Sequence, residues 1–363
     1  MNRELQDQIG RIRPLYKAEM EKAAAYQMKL AKPPGSLGKL EDISIRLAGI
    51  TGKLRNTVDR KRIIVLCADN GIVAEGVACA PQSVTAAQAV NMTKNLTGMS
   101  VLAKHFDCET VIVDMGISCD YDCPEVLDRS LGKGTKNFAV EPAMTYEQAL
   151  KGIMTGISLA DDAAKDGINM IGTGEMGIGN TTTSSAVLAA LTGSDAEEVT
   201  GRGGGVNDEG FARKKAVITD AVRRYKPDRD DPVDVIAKVG GFDIAAMCGV
   251  FLGAAANRVP VVIDGFISVV SALCASRLAP LCTGYMFPSH VSHERGYEIA
   301  AGELKLDPWL MLDMRLGEGS GCPLAFMIAD ASCAVMNNMV TFDGGGINDE
   351  YLDEIRDKDE WDG

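Results

Sequence analysis

Four short β-branched or apolar runs recur along the chain, Ile63–Cys67, Thr110–Val113, Ile168–Ile171 and Val261–Ile263, with Ala-rich amphipathic stretches of helix length between them. Strands alternating with helices build parallel βαβ units, and a parallel sheet has to be covered on both faces. The alternation therefore predicts an α/β fold. Each run also ends in polar residues and glycine: Ala68-Asp69-Asn70-Gly71, Asp114-Met115-Gly116, Gly172-Thr173-Gly174-Glu175 and Asp264-Gly265. Any one of these ends is explained by turn chemistry alone. Four together point to one shared site, because ligands of open α/β sheets bind at the carboxyl ends of the strands.

Residues 1–31 have helical composition and run into Lys32-Pro33-Pro34-Gly35-Ser36-Leu37-Gly38, which breaks a helix. We expect a helical N-terminal segment over 1–60, an α/β domain over 61–346 and an acidic, frayed tail over 347–363. The 363 residues carry 37 Lys and Arg against 50 Asp and Glu, a net charge of −13. That balance argues against nucleic acid, whose phosphates need a basic face. An anionic ligand must then be held by local features rather than by the global field. The apolar runs Ile244–Asn257 and Gly265–Ser276 fall short of the about 20 residues a membrane span needs. The N-terminus is polar and charged where a signal peptide would be apolar, and ten cysteines are too dilute for a disulfide framework, so the expected location is the cytoplasm. Cys119 and Cys123 with His290 and His293 make a zinc site conceivable, but no second thiol pair stands at finger spacing and no metal is expected.

Three loops can carry chemistry. Gly172–Ser185 follows a strand and opens a helix, so its glycines admit a ligand close to the backbone and its helix start attracts phosphate. It lacks both the Walker Gly-Lys-Ser/Thr and the dinucleotide glycine spacing, and a capped Gly-rich turn explains it as well. Gly201–Gly210 leads into Arg213-Lys214-Lys215, where Lys214 is the cation chosen to neutralise a phosphate, against the alternative of a solvated basic helix face. Met314–Pro323 sets Glu318 between glycines before an apolar helix, as a general base or as a helix-capping carboxylate. Ser289-His290-Val291-Ser292-His293-Glu294 invites a Ser-His-acid reading, which the absence of a nucleophile elbow disfavours.

In this order, KPPGSLGKLE, ADNGIVAEGV, GEMGIGNTT, GRGGGVNDEGFARK, GGFDIAA, DGFIS, SHVSHE and RLGEGSG, running from Lys32 to about Gly346, resemble the nicotinate-nucleotide:dimethylbenzimidazole phosphoribosyltransferase family. The resemblance implies a Rossmann-like parallel sheet with helices on both faces, a small helical domain that includes the N-terminal segment, and a homodimer. It implies transfer of phosphoribose from nicotinate mononucleotide to a benzimidazole nitrogen, without metal or cofactor. Glu318 matches the general base and Glu175 a second carboxylate at the site; Gly177, Lys214 and Ser292 match phosphate and ribose contacts. The remaining substrate-binding candidates are Gly174, Gly179, Asn180, Thr181, Gly203, Asp243, Asp264, Ser83, Gln88 and Leu316. The chain departs from the family pattern at Asn70 for His, Gly204 for Thr, Asn207 for Asp, Ala87 for Gln with Gln88 one place along, and Arg295 and Tyr297 for Pro and His. Most of these lie around the acceptor pocket. Some relatives act on phenols as unlike subunits, so the alternative is a phenol-activating subunit paired with a paralogue; a binding module that has lost turnover is disfavoured by the presence of both Glu318 and Glu175.

Overall fold

A six-stranded parallel sheet in the order β3-β2-β1-β4-β5-β6 organises the computed structural model, which describes residues 2–352. The strands are β1 (Lys61–Ala68), β2 (Glu109–Gly116), β3 (Leu127–Asp128), β4 (Met170–Met176), β5 (Val261–Ile263) and β6 (Met286–Pro288). This is the Rossmann order, and its direction reverses between β1 and β4, where a crevice opens at the strands' carboxyl ends. All four expected strands form. The third differs in extent: it starts at Met170 and carries Gly172-Thr173-Gly174-Glu175 inside the ladder, paired from Lys61↔Met170 to Cys67↔Met176. A central position between two hydrogen-bonding partners holds these weak β-formers extended, which local propensity does not foresee. The two-residue β3, lying in the acidic stretch after Cys123, had no sequence signal.

The chain divides into two compact units. One comprises the residues up to Arg13 with Arg60–Ala325, the other Pro14–Asp59 with the described residues from Phe326 on. The N-terminal helical stretch is thus two helices, Arg3–Ile9 and Lys17–Gln27, the first of which belongs to the α/β unit. In the helical unit, the segment Lys32–Glu41 is fixed by a buried ion pair, Lys32 Nζ to Glu41 Oε1 at 2.6 Å, while the Leu37 N–H donates to the same Glu41 oxygen at 3.0 Å. Leu30 and Thr341 form an antiparallel bridge there. Of the acidic tail, Glu350–Leu352 is a 3-10 turn with Leu352 buried, and the part beyond Leu352 lies outside the described residues.

Within the α/β unit, the helices Tyr146–Lys165 and Phe242–Ala256 approach closely enough for backbone contact. Gly156 faces the Ala246 carbonyl and Gly249 faces that of Ile153, and a β-carbon on either glycine would overlap those oxygens. Helix Phe242–Ala256 is buried all round except near its end, as an apolar helix under a parallel sheet must be. Alanine at Gly156 would gain about 1 kcal/mol in helix propensity. The overlap with rigid backbone outweighs it, so Gly156→Ala should lower unfolding stability by about 1–3 kcal/mol in urea titration. An unchanged midpoint would show that the two helices can separate at no cost.

Candidate active site

Residues at and just beyond the carboxyl ends of β4, β5 and β6 line a cavity of about 350 Å³. Its wall includes Glu175, Gly177, Gly179, Asn180, Thr181, Gly203, Asp264, Ser292, Leu316, Glu318 and Gln88, so eleven of the sequence-derived candidates meet in one place. Gly174, Lys214, Asp243 and Ser83 do not line it. Ser83 is exposed at the start of the helix Ser83–Thr93, whose next turn brings Gln88 to the wall. Gly174 sits behind the cavity, where a side chain would overlap the Glu318 carbonyl.

Glu318 is held in a left-handed conformation, φ +63°, between Gly317 at +82° and Gly319 at +89°. Such a conformation is costly for a residue with a β-carbon and persists only where the surroundings impose it. Here two buried carboxylates impose it. Glu175 Oε1 accepts the Glu318 N–H at 3.2 Å, and Asp264 accepts the N–H of Gly319 through Oδ2 at 3.0 Å and that of Gly321 through Oδ1 at 2.7 Å. Glu318 itself is 5% exposed; its Oε2 accepts the Met99 N–H at 3.1 Å, at the start of the helix Gly98–His105. The helix N-terminus thus orients one carboxylate oxygen and leaves the other for a proton from a ligand.

Behind this loop the acids form a chain. Asn180 donates to Glu175 Oε2 and also hydrogen-bonds Asp243, whose Oδ1 accepts the Ile244 N–H at 2.9 Å. Burial, reinforced by the neighbouring charges of Asp243 and Asp264, raises the Glu175 pKa to about 8. Burial likewise lifts Asp264 to about 7 and Asp243 to about 6, against the backbone N–H groups that favour their charged forms.

Beside Glu175, the helix Asn180–Thr192 begins after Gly179, itself left-handed at φ +92°. Lys214, on the helix Asp208–Tyr225, is fully buried and donates from Nζ to Thr181 Oγ1 at 2.8 Å. Desolvation draws its pKa down to about 8, with Glu294 opposing. Gly203 lies beside both groups: a β-carbon there would be 2.6 Å from Thr181 Oγ1 and 3.4 Å from Lys214 Nζ. A helix start, a hydroxyl and a buried cation converge on one corner, which suits a phosphate. Lys214 reaches that corner from behind Thr181 rather than from the cavity wall.

The chain matches the family described as phosphoribosyltransferase over residues 12–347. It belongs to this phosphoribosyltransferase family. Nicotinate-nucleotide–dimethylbenzimidazole phosphoribosyltransferase of Clostridium perfringens is 53% identical over 330 residues, 91% of either chain, and that of Clostridium tetani is 47% identical over 355 residues, 98% of either chain. Among solved structures, CobT from Thermus thermophilus superposes with a TM-score of 0.88 at 36% identity, covering 92% of this chain and 99% of that one.

Several wall residues of this phosphoribosyltransferase carry no sequence signal as site residues. Val77, Val84, Met176, Phe266 and His290 are not among the candidates, although all but Val84 stand inside the motifs ADNGIVAEGV, GEMGIGNTT, DGFIS and SHVSHE. The zinc possibility finds no support, since among the described residues no group of three or more His, Cys, Asp or Glu is placed to hold a metal ion. No helix among the described residues is long and apolar enough to cross a membrane.

A carboxyl group whose pKa is raised by folding stabilises the native state fully below its ordinary value and loses that contribution as pH rises through the folded value. For Glu175 the ordinary value is 4.5 and the folded one about 8. Urea midpoints should therefore fall as pH rises from about 5 to about 8, and Glu175→Gln, neutral throughout, should flatten the fall. An equally steep fall in the variant would place the titration on other groups.

Proposed function

We infer that this enzyme transfers the 5-phosphoribosyl group from nicotinate mononucleotide to a benzimidazole-type base, giving an α-ribazole 5′-phosphate and nicotinate. The observation that carries the reading is Glu318, clamped on a left-handed turn at the cavity with one carboxylate oxygen anchored. The relatives' names and their coverage of nearly the whole chain support the same reaction. The phenol-activating alternative gains no support from those relatives.

In the reaction one azole nitrogen attacks C1′ of the ribose while the C1′–N bond to the nicotinate ring breaks. The bonding pair neutralises the pyridinium, and Glu318 takes the N–H proton from the other azole nitrogen. Because the leaving ring is already cationic, alignment of the attacking nitrogen with C1′ is the main demand, and a rigid turn serves it. The phosphate is held by the Gly177–Thr181 helix start, Gly203 and the buried Lys214, the ribose by Ser292. The apolar side chains Val77, Val84, Met176, Phe266 and Leu316 suit a flat aromatic base, with Gln88 as a polar contact.

The enzyme works in the cytoplasm as a homodimer on this reading. All ten cysteines are free thiols, as a reducing compartment keeps them. Leu96, Val101, Met311 and Leu312 are exposed apolar side chains that a second copy would cover.

Mass spectrometry after incubating the protein with nicotinate mononucleotide and dimethylbenzimidazole, benzimidazole, adenine or p-cresol tests the reading. An azole ribotide is expected; product with p-cresol alone would overturn the acceptor class. Glu318→Gln should keep nucleotide affinity and lose about 10²–10⁴-fold in kcat, and unchanged turnover would remove its role as base. Lys214→Ala should weaken nicotinate mononucleotide binding in calorimetry with kcat at saturation much less affected, whereas unaltered affinity would refute the phosphate corner.

A further inference from the structure

His290 is 2% exposed, lines the cavity and belongs to no role assigned above. Its backbone is pinned on both sides: the Leu310 N–H donates to the Ser289 carbonyl at 3.0 Å, and the Val291 N–H donates to the Leu310 carbonyl at 2.9 Å. Its ring is pinned by Ser289, whose Oγ lies 2.9 Å from Nδ1. The Ser289 hydroxyl has one proton, and it is committed to the Asp264 carbonyl oxygen at 3.0 Å. In the contact with the ring, Ser289 Oγ must therefore accept, and Nδ1 must carry the hydrogen. In a neutral imidazole this leaves Nε2 as a bare acceptor. Burial draws the His290 pKa down to about 4, so the ring is neutral at physiological pH. The nearest acid, Asp264, has Oδ1 at 4.0 Å from Nδ1.

Nε2 lies by Gly265, where a β-carbon would sit 3.8 Å from it and 3.6 Å from Ser292 Oγ. An acceptor nitrogen and a hydroxyl thus flank one spot of the cavity wall, at the end of β5. Such a pair matches a vicinal diol, in which one hydroxyl donates to the nitrogen and the other exchanges a hydrogen bond with the serine.

We propose that His290 Nε2, together with Ser292, binds the ribose 2′,3′-diol of the nucleotide donor and selects ribonucleotides over deoxyribonucleotides. The proposal rests on the reading of this cavity as a nicotinate mononucleotide site. The Ser289 hydroxyl and the Asp264 carbonyl are positioning groups that fix the tautomer. Glu318 and His290 then have separate duties, since the first receives the proton of the acceptor base and the second only accepts a hydrogen bond.

The test is calorimetric affinity, with transfer rates alongside, for nicotinate mononucleotide and its 2′-deoxy and 3′-deoxy analogues on wild type, His290→Gln and His290→Phe. Wild type should bind at least one deoxy analogue about 10-fold more weakly than the ribonucleotide. His290→Phe should lose about 10-fold for the ribonucleotide and nothing further for that analogue, while His290→Gln, whose amide oxygen can replace Nε2, should keep most of the discrimination. A merely structural role would weaken all three nucleotides equally in His290→Phe and would overturn the proposal. Equal affinity of wild type for all three nucleotides overturns it without any variant. Discrimination in binding with no transfer to any base would support His290 as the diol contact and count against the reaction instead.

Discussion

Asp264 and Glu175 together accept the N–H groups of Glu318, Gly319 and Gly321, and the rest of the site is arranged around that capture. A buried carboxylate that accepts backbone N–H groups is compensated for part of its desolvation, and the loop gains in return a conformation it would not choose alone. Glu318 at φ +63° is the result. Gly174 matters for the same reason, since only a glycine in the middle of β4 lets the Glu318 carbonyl pass so close. The strand, the loop and the acids therefore constrain one another, and a change in any of the three moves the Glu318 carboxylate.

An acidic chain that binds an anion needs a local exception to its own field. The exception here is a fully buried lysine close to one helix start and a glycine turn. Lys214 in this setting has a pKa lowered to about 8 by desolvation, and a bound phosphate would raise it again. The proposed role of His290, also in the cavity wall, is to offer a lone pair in place of a charge. On the proposed reading the cavity separates its tasks by electrostatic character: cation for the phosphate, acceptor nitrogen for the sugar, carboxylate for the azole proton.

Much of this was legible in the chain. The alternation of β-branched runs and Ala-rich stretches specified parallel βαβ units because a doubly covered strand reads as a short apolar run. The polar strand ends marked the shared crevice because loops at those ends carry the ligand contacts in such sheets. Less legible was β4: Gly172-Thr173-Gly174-Glu175 reads as a turn by local preference and becomes strand only through pairing to β1. Ser83 and Gln88 illustrate the limit of position along a helix, for they share the helix Ser83–Thr93 yet only Gln88 reaches the cavity. Asp264 stood out as a polar strand end, but its role as the anchor of a loop some 55 positions later in the chain could not be read locally.

By itself, then, the sequence determined four of the six strands and which residue types their ends present, since periodicity, glycine and proline act over a few neighbouring residues. Tertiary structure alone decided the left-handed turn of Glu318 and the depth at which Lys214 is buried. Each of these depends on hydrogen bonds and exclusion of water supplied by groups far away in the chain, and no local pattern of residues encodes that proximity.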